Sequence, residues 1–249
     1  MLRSLLAALL LAAPAVAQSS VTYSVGPSVA PVDCPFTMSF TNDTSALLIT
    51  NLCPYQVYDE SGALVFTPGC FLLAILVPPG GTFTAEWDQA DDAGVPFAPG
   101  KYRIDFTVPE VGIVSTDVEI STGVQGAIST LGEVKVGETR TVQICAPDYP
   151  NQTYFMMAAG INTGGIPTCG GTIPLDADAI FQIALVDTGV FGNFFGTLDE
   201  NGRSTDPFLA VPDLPSFQGV DLILDFVVLD LTAPCPVDAI SEPLNLTVQ

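Results

Sequence analysis

The chain has 249 residues, 27 Asp and Glu against 6 Lys and Arg, no histidine and six cysteines, for a formal net charge of −21. Such acidity excludes nucleic acid and anionic membranes as partners, because like charge repels at encounter. Without histidine the usual general base of hydrolytic triads and a common zinc ligand are missing, so neither catalysis nor a cofactor is expected.

The N-terminus opens with a basic Met1-Leu2-Arg3-Ser4, an apolar run over residues 5–13 and an Ala15-Val16-Ala17 cleavage signal. This pattern predicts a signal peptide over residues 1–17 and an exported chain beginning at Gln18. The apolar run is too short to span a bilayer, so no membrane insertion is expected. Export makes the chain secreted, periplasmic or cell-surface. In such oxidising surroundings Cys34, Cys53, Cys70, Cys145, Cys169 and Cys235 read as disulfide partners.

Period-2 alternation dominates the remainder of the chain. Phe36, Met38 and Phe40 alternate with Thr37, Ser39 and Thr41; Phe83, Ala85 and Trp87 alternate with Thr82, Thr84 and Glu86. Tyr102, Ile104, Phe106 and Val108 alternate with Lys101, Arg103, Asp105 and Thr107. Each run predicts a strand with one buried and one wet face. Asp59-Glu60-Ser61-Gly62 and Asp199-Glu200-Asn201-Gly202 read as hairpin turns, and Pro78-Pro79-Gly80-Gly81 and Pro99-Gly100 as breaks before strands. The small, Gly-containing stretch 122–131 reads as a linker, with a new strand set starting at Glu133-Val134-Lys135-Val136. Continuous apolar stretches at 180–186 and 222–231 predict strands buried on both faces. The expected fold is all-β: two tandem antiparallel, Ig-like β-sandwich domains over 18–121 and 132–249.

A set of residues in the first half matches a known pattern. It runs Thr41-Asn42-Asp43-Thr44, Cys53-Pro54-Tyr55-Gln56-Val57-Tyr58-Asp59-Glu60-Ser61-Gly62, Pro79-Gly80-Gly81-Thr82, Trp87-Asp88-Gln89 and Pro99-Gly100-Lys101-Tyr102. Over residues 20–120 the chain resembles the BsuPI-type intracellular proteinase inhibitor domain, a small Ig-like β-sandwich. The resemblance implies that fold and, by the family's name, inhibition of a serine protease. The matched residues are scaffold residues: Asn42 turns the chain, Gly62 permits a hairpin, and Trp87 and Tyr102 are core partners. Over 130–249 the chain resembles an uncharacterised repeat of secreted planctomycete-like bacterial proteins, on Phe195-Gly196-Thr197-Leu198-Asp199-Glu200-Asn201-Gly202-Arg203, Val228-Leu229-Asp230 and Ile240-Ser241.

Few constellations suggest chemistry. A Ser–Lys pair is formally open, but Lys101 falls on the outward face of a strand and Lys135 in a short edge-like segment. The loop Asp88-Gln89-Ala90-Asp91-Asp92 offers Asp88, Asp91 and Asp92 as calcium candidates, although its spacing does not match an EF-hand loop. Cys53 with Cys70, bracketing the first hairpin, is the preferred disulfide and Cys169 with Cys235 the second choice. Cys34 and Cys145 then remain for a bridge between the halves. The functional expectation is an exported, non-catalytic module that binds a protein through loops at the ends of rigid sandwiches. The alternatives are a proteinase inhibitor, with a protease as the partner, and a structural component of an envelope or matrix.

Overall fold

A computed structural model describes residues 21–70, 73–186 and 189–249; the signal peptide expected over 1–17 lies outside them. The chain is all-β, built as two successive β-sandwiches. In the first half β1 (Val21–Gly26), β3 (Phe36–Asn42) and β8 (Thr82–Trp87) form one sheet in the order β1-β3-β8. It faces a second sheet of order β2-β10-β9-β5-β6, from β2 (Val29–Pro31), β5 (Tyr55–Asp59), β6 (Leu64–Phe66), β9 (Gly100–Val108) and β10 (Gly112–Ser121). Pairing is antiparallel except between β2 and β10. Two further strands, β4 (Leu48–Asn51) and β7 (Ala74–Val77), form a separate two-stranded ribbon.

The alternating residues fill the space between the two sheets. Phe36, Met38, Phe40, Trp87, Ile104 and Phe106 are fully buried. Trp87 stacks on Phe36 with ring centroids 5.5 Å apart and meets Tyr102 edge-on, also at 5.5 Å. Burial of such aromatic area is the main stabilising term of a sandwich core.

In the second half β11 (Ala127–Thr130), β12 (Thr139–Cys145), β16 (Phe191–Gly192), β18 (Arg203–Ser204) and β19 (Phe208–Ala210) form one sheet. The opposing sheet contains β13 (Thr153–Ala159), β17 (Phe195–Thr197), β20 (Asp221–Leu229), β21 (Val237–Ile240) and β22 (Leu244–Thr247). Between them lie Ile144, Tyr154, Met156, Leu224, Phe226 and Val228. Behind the second sheet a third cluster gathers Met157, Ala159, Val227, Ile173, Leu175 and Phe181. It is roofed by a small ribbon of β14 (Ile166–Thr168) and β15 (Gly171–Ile173) and by helix α1 (Ala179–Ala184). With core on both sides, β20 needs apolar residues at consecutive positions, which is why its stretch does not alternate.

Four sequence expectations need correction. The stretch 180–186 holds helix α1, not a strand: Asp178 caps it by accepting the Phe181 N–H at 2.8 Å, which favours the helical turn over extension. Residues 133–136 form no strand; they bond to the chain's last residue through Val136 N–H to Gln249 O (3.1 Å) and Gln249 N–H to Val134 O (2.8 Å). The strand begins earlier, at β11, inside the segment read as a linker, because Ala127 and Ile128 are buried there. The Asp199–Gly202 turn joins no hairpin: β17 before it pairs with β13 and β18 after it pairs with β12, so the turn carries the chain between sheets.

A fifth lies in β3. Its polar face is not wet, since Thr37, Ser39 and Thr41 are at most 4% exposed. That face turns towards the second half, and Thr37 Oγ1 donates to Gln143 Oε1 at 2.9 Å. Lys135 Nζ bonds Asp43 at 2.7 Å and Arg203 Nη2 donates to Asp33 O at 2.8 Å. Cys34 and Cys145 are disulfide-bonded across the same junction. Hydroxyls and an amide satisfy one another where two acidic bodies meet, so burial leaves these groups paired.

Candidate interaction surface

The β4–β7 ribbon carries apolar side chains on both of its faces. Its register opposes Leu48 to Val77, Ile49 to Leu76, Thr50 to Ile75 and Asn51 to Ala74. Leu48 and Val77 point into the first core, whereas Ile49 and Leu76 are 62% and 58% exposed. Strand geometry sends alternate side chains to opposite faces, so this pair stands outward side by side. Leu47, Leu52 and Leu73 are exposed around it. Exposed apolar side chains grouped in this way make the ribbon the candidate interaction surface. Among the described residues neither strand pairs with a third, so backbone groups at the ribbon's outer edges are available to another strand.

Both ends of the ribbon are tied down. At one end Asn42 is fully buried, and its Nδ2 donates to Ala46 O and to Val77 O, each at 2.8 Å. Its Oδ1 accepts from the Thr44 N–H at 3.0 Å and the Thr44 hydroxyl at 2.6 Å. This one amide fixes the turn into β4 and the exit from β7. At the other end the Cys53–Cys70 disulfide joins the residues that follow β4 and precede β7, with Cα atoms 6.0 Å apart. A clamped ribbon has already lost the conformational freedom that binding would otherwise remove.

Charge is distributed unevenly about this surface. Residues 44–58 and 61–85, which include the ribbon and its flanks, contain no Asp, Glu, Lys or Arg. The acidic loop borders its disulfide end: the Asp92 carboxylate accepts the Gly69 N–H at 3.0 and 3.2 Å, one residue before Cys70. Burial, followed by Asp88 and Asp92, pushes the nearby Tyr55 phenol well above its usual range, while its hydroxyl donates to Glu86 O at 3.0 Å.

The calcium candidates are engaged by backbone N–H groups: Asp92 by Gly69, as above, and Asp88 and Asp91 within their own loop. Asp88 accepts the Ala90 N–H at 3.3 Å, and Asp91 accepts those of Ala93 and Val95 at 2.9 Å each. Among the described residues no three Asp, Glu, Cys or His side chains converge as a metal-binding group. Cys169 is bonded to Cys235, leaving none of the six cysteines free. Three disulfides belong to an oxidising, extracytoplasmic environment. Lys101 is exposed on β9, and the Lys135 ammonium is engaged by Asp43.

Two clefts are bordered by charged and polar side chains among others. One, of about 430 Å³, lies over β9 and β10 and is lined by Asp59, Glu60, Lys101, Arg103, Asp117 and Glu119. Arg103 is occupied there, lying 4.4 Å from the Tyr58 ring centroid and bonding Asp105 at 2.9 Å. The other, of about 200 Å³, sits at the junction between Thr37, Glu86, Gln143 and Arg203.

A buried acid lies on β20. Asp225 is fully buried on the face of the third cluster; one oxygen accepts from the Ser241 hydroxyl and the other has no hydrogen-bond partner. Burial above all, with Glu242 adding, pushes its carboxyl up to about 7 against the pull of Ser241.

Neither the ribbon nor Asp225 is marked by a local sequence pattern. In the ribbon both faces are apolar, so alternation gives no signal; the long charge-free runs in an acidic chain were the available clue.

No protein-family model matches the chain, and no curated protein matches it. Among solved structures it is similar to red sea bream transglutaminase, with 11% identity and a TM-score of 0.29 over 93% of this chain and 32% of that one. It is similar to trypsin-activated alpha-2-macroglobulin from Escherichia coli, with 11% identity and a TM-score of 0.28 over 92% of this chain and 15% of that one. A third is Salmonella alpha-2-macroglobulin reacted with methylamine, with 10% identity and a TM-score of 0.25 over 92% of this chain and 15% of that one. The chain spans about a third or less of the length of these proteins.

Proposed function

We propose that this is an exported, non-catalytic binding module, released or displayed outside the cytoplasm, that engages a partner protein through the β4–β7 ribbon. One observation carries this reading: Ile49 and Leu76 stand exposed, side by side, on a ribbon held at one end by Asn42 and at the other by a disulfide. A chain with 27 acids has polar side chains enough to cover such a face, and keeping it apolar costs solubility. The export signal and the disulfides support the compartment.

The test is capture from the producing organism's secreted and envelope fractions with the purified chain and with the double substitution Ile49→Thr, Leu76→Thr. Threonine keeps β-propensity while removing apolar area. The reading expects a protein retained by the unsubstituted chain and lost by the variant. Equal retention by both removes the ribbon as the binding surface.

A further inference from the structure

We propose that the ribbon's partner presents an extended apolar segment carrying a lysine or arginine, which adds to an open ribbon edge with its cation against the acidic loop. This rests on the reading of the ribbon as the binding surface and names what that surface selects. Three features specify the occupant. The outer edges of β4 and β7 pair with no third strand among the described residues, and unpaired strand edges accept a further extended segment. The outward faces of Ile49 and Leu76, with Leu47 and Leu73 beside them, match apolar side chains at alternate positions of such a segment. Asp88 and Asp92 are exposed at the disulfide end, Asp92 fixed against Gly69, while residues 44–58 and 61–85 supply no cation of their own.

Charge also decides between occupants. A second copy would bring its own net charge of −21 to the contact, and strong like charge keeps proteins apart. A basic segment is drawn towards the same field. Backbone pairing and apolar contact then supply the affinity, and the cation supplies direction along the edge.

The experiment is selection of a displayed random-peptide library on the intact disulfide-bonded chain, followed by titration of the enriched peptides. The expected peptides alternate apolar residues and carry Lys or Arg near one end. Their binding weakens by about tenfold or more in Ile49→Thr, Leu76→Thr, as for central interface anchors. It weakens by about two- to fivefold in Asp88→Asn, Asp92→Asn, and less at high salt. Enriched peptides that need Ile49 and Leu76 but lack a cation and ignore Asp88 and Asp92 overturn this inference and leave the ribbon as the binding surface. Failure to enrich, or binding indifferent to Ile49 and Leu76, overturns both. Sedimentation of the unsubstituted chain as a dimer that the ribbon variant converts to monomer assigns the edge to a second copy and also overturns the inference.

Discussion

The β4–β7 ribbon and strand β20 invert each other. On the ribbon, Ile49 and Leu76 hold apolar side chains in water; on β20, Asp225 holds a carboxyl in the core. Scattered exposed leucines are ordinary, and so are buried leucines. An exposed apolar patch costs solubility, and a buried acid costs stability. Their structural settings differ. The ribbon is clamped by Asn42 and by Cys53–Cys70, so its exposure is built in. Asp225 has one partner, Ser241, and an oxygen left over, and burial holds its carboxyl up at about 7, so below that pH the core contains the neutral acid. A feature that others hold in place is the better guide to function than one merely tolerated.

The largest expected effect breaks the comparison from the buried side. The Asp225 carboxyl titrates at about 7 when folded against an ordinary value of 3.8. The unfolded chain therefore loses its proton first, and stability falls as pH rises from about 4 to about 7, then levels off. The loss is on the order of 4 kcal/mol, by the conversion of a pKa shift to free energy. Asp225→Asn keeps the shape and removes the titration. Urea denaturation across that range should show a decline in the parent that is absent from the variant; parallel curves would mean that Asp225 is not the protonated core acid described.

The clamps sharpen the other side. Replacing Cys53 and Cys70 by serine frees a loop of sequence separation 17. The chain-entropy account expects a loss of about 3 kcal/mol, read from the denaturation midpoint. Asn42→Ala leaves the buried Val77 carbonyl without its side-chain donor and removes one of two side-chain donors to the exposed Ala46 O, which keeps the Thr44 hydroxyl. A loss of about 2 kcal/mol is expected. Amide exchange should also quicken over β4 and β7 in that variant while β9 stays protected. Unchanged exchange on the ribbon would show that Asn42 does not hold it.

Much of the first sandwich was legible in the sequence because its strands face water or a neighbour on one side only, which leaves a period of two. Phe83, Ala85 and Trp87 show this cleanly, with Thr82, Thr84 and Glu86 exposed between them. The same pattern on β3 was misleading, since hydrogen-bonding hydroxyls and solvent-facing threonines look alike until a second body covers them. Residues 179–184 became a helix because one capping aspartate outweighs a run of apolar residues that suits either conformation. The acidic loop stood out by composition, yet Asp88 and Asp91 serve local N–H groups, and spacing alone did not reveal that Asp92 reaches Gly69 beside the ribbon. Pairing of β4 with β7 across more than twenty residues is a tertiary fact that no local window contains.

The central claim is that Ile49 and Leu76 are there to be covered by another protein. Titration calorimetry of the captured partner against the parent chain and Ile49→Thr, Leu76→Thr tests it most directly. With side chains already in water, the substitutions should shift unfolding by no more than about 0.5 kcal/mol. The account predicts affinity at least about tenfold weaker with unfolding nearly unchanged. Equal affinity at equal stability would contradict it.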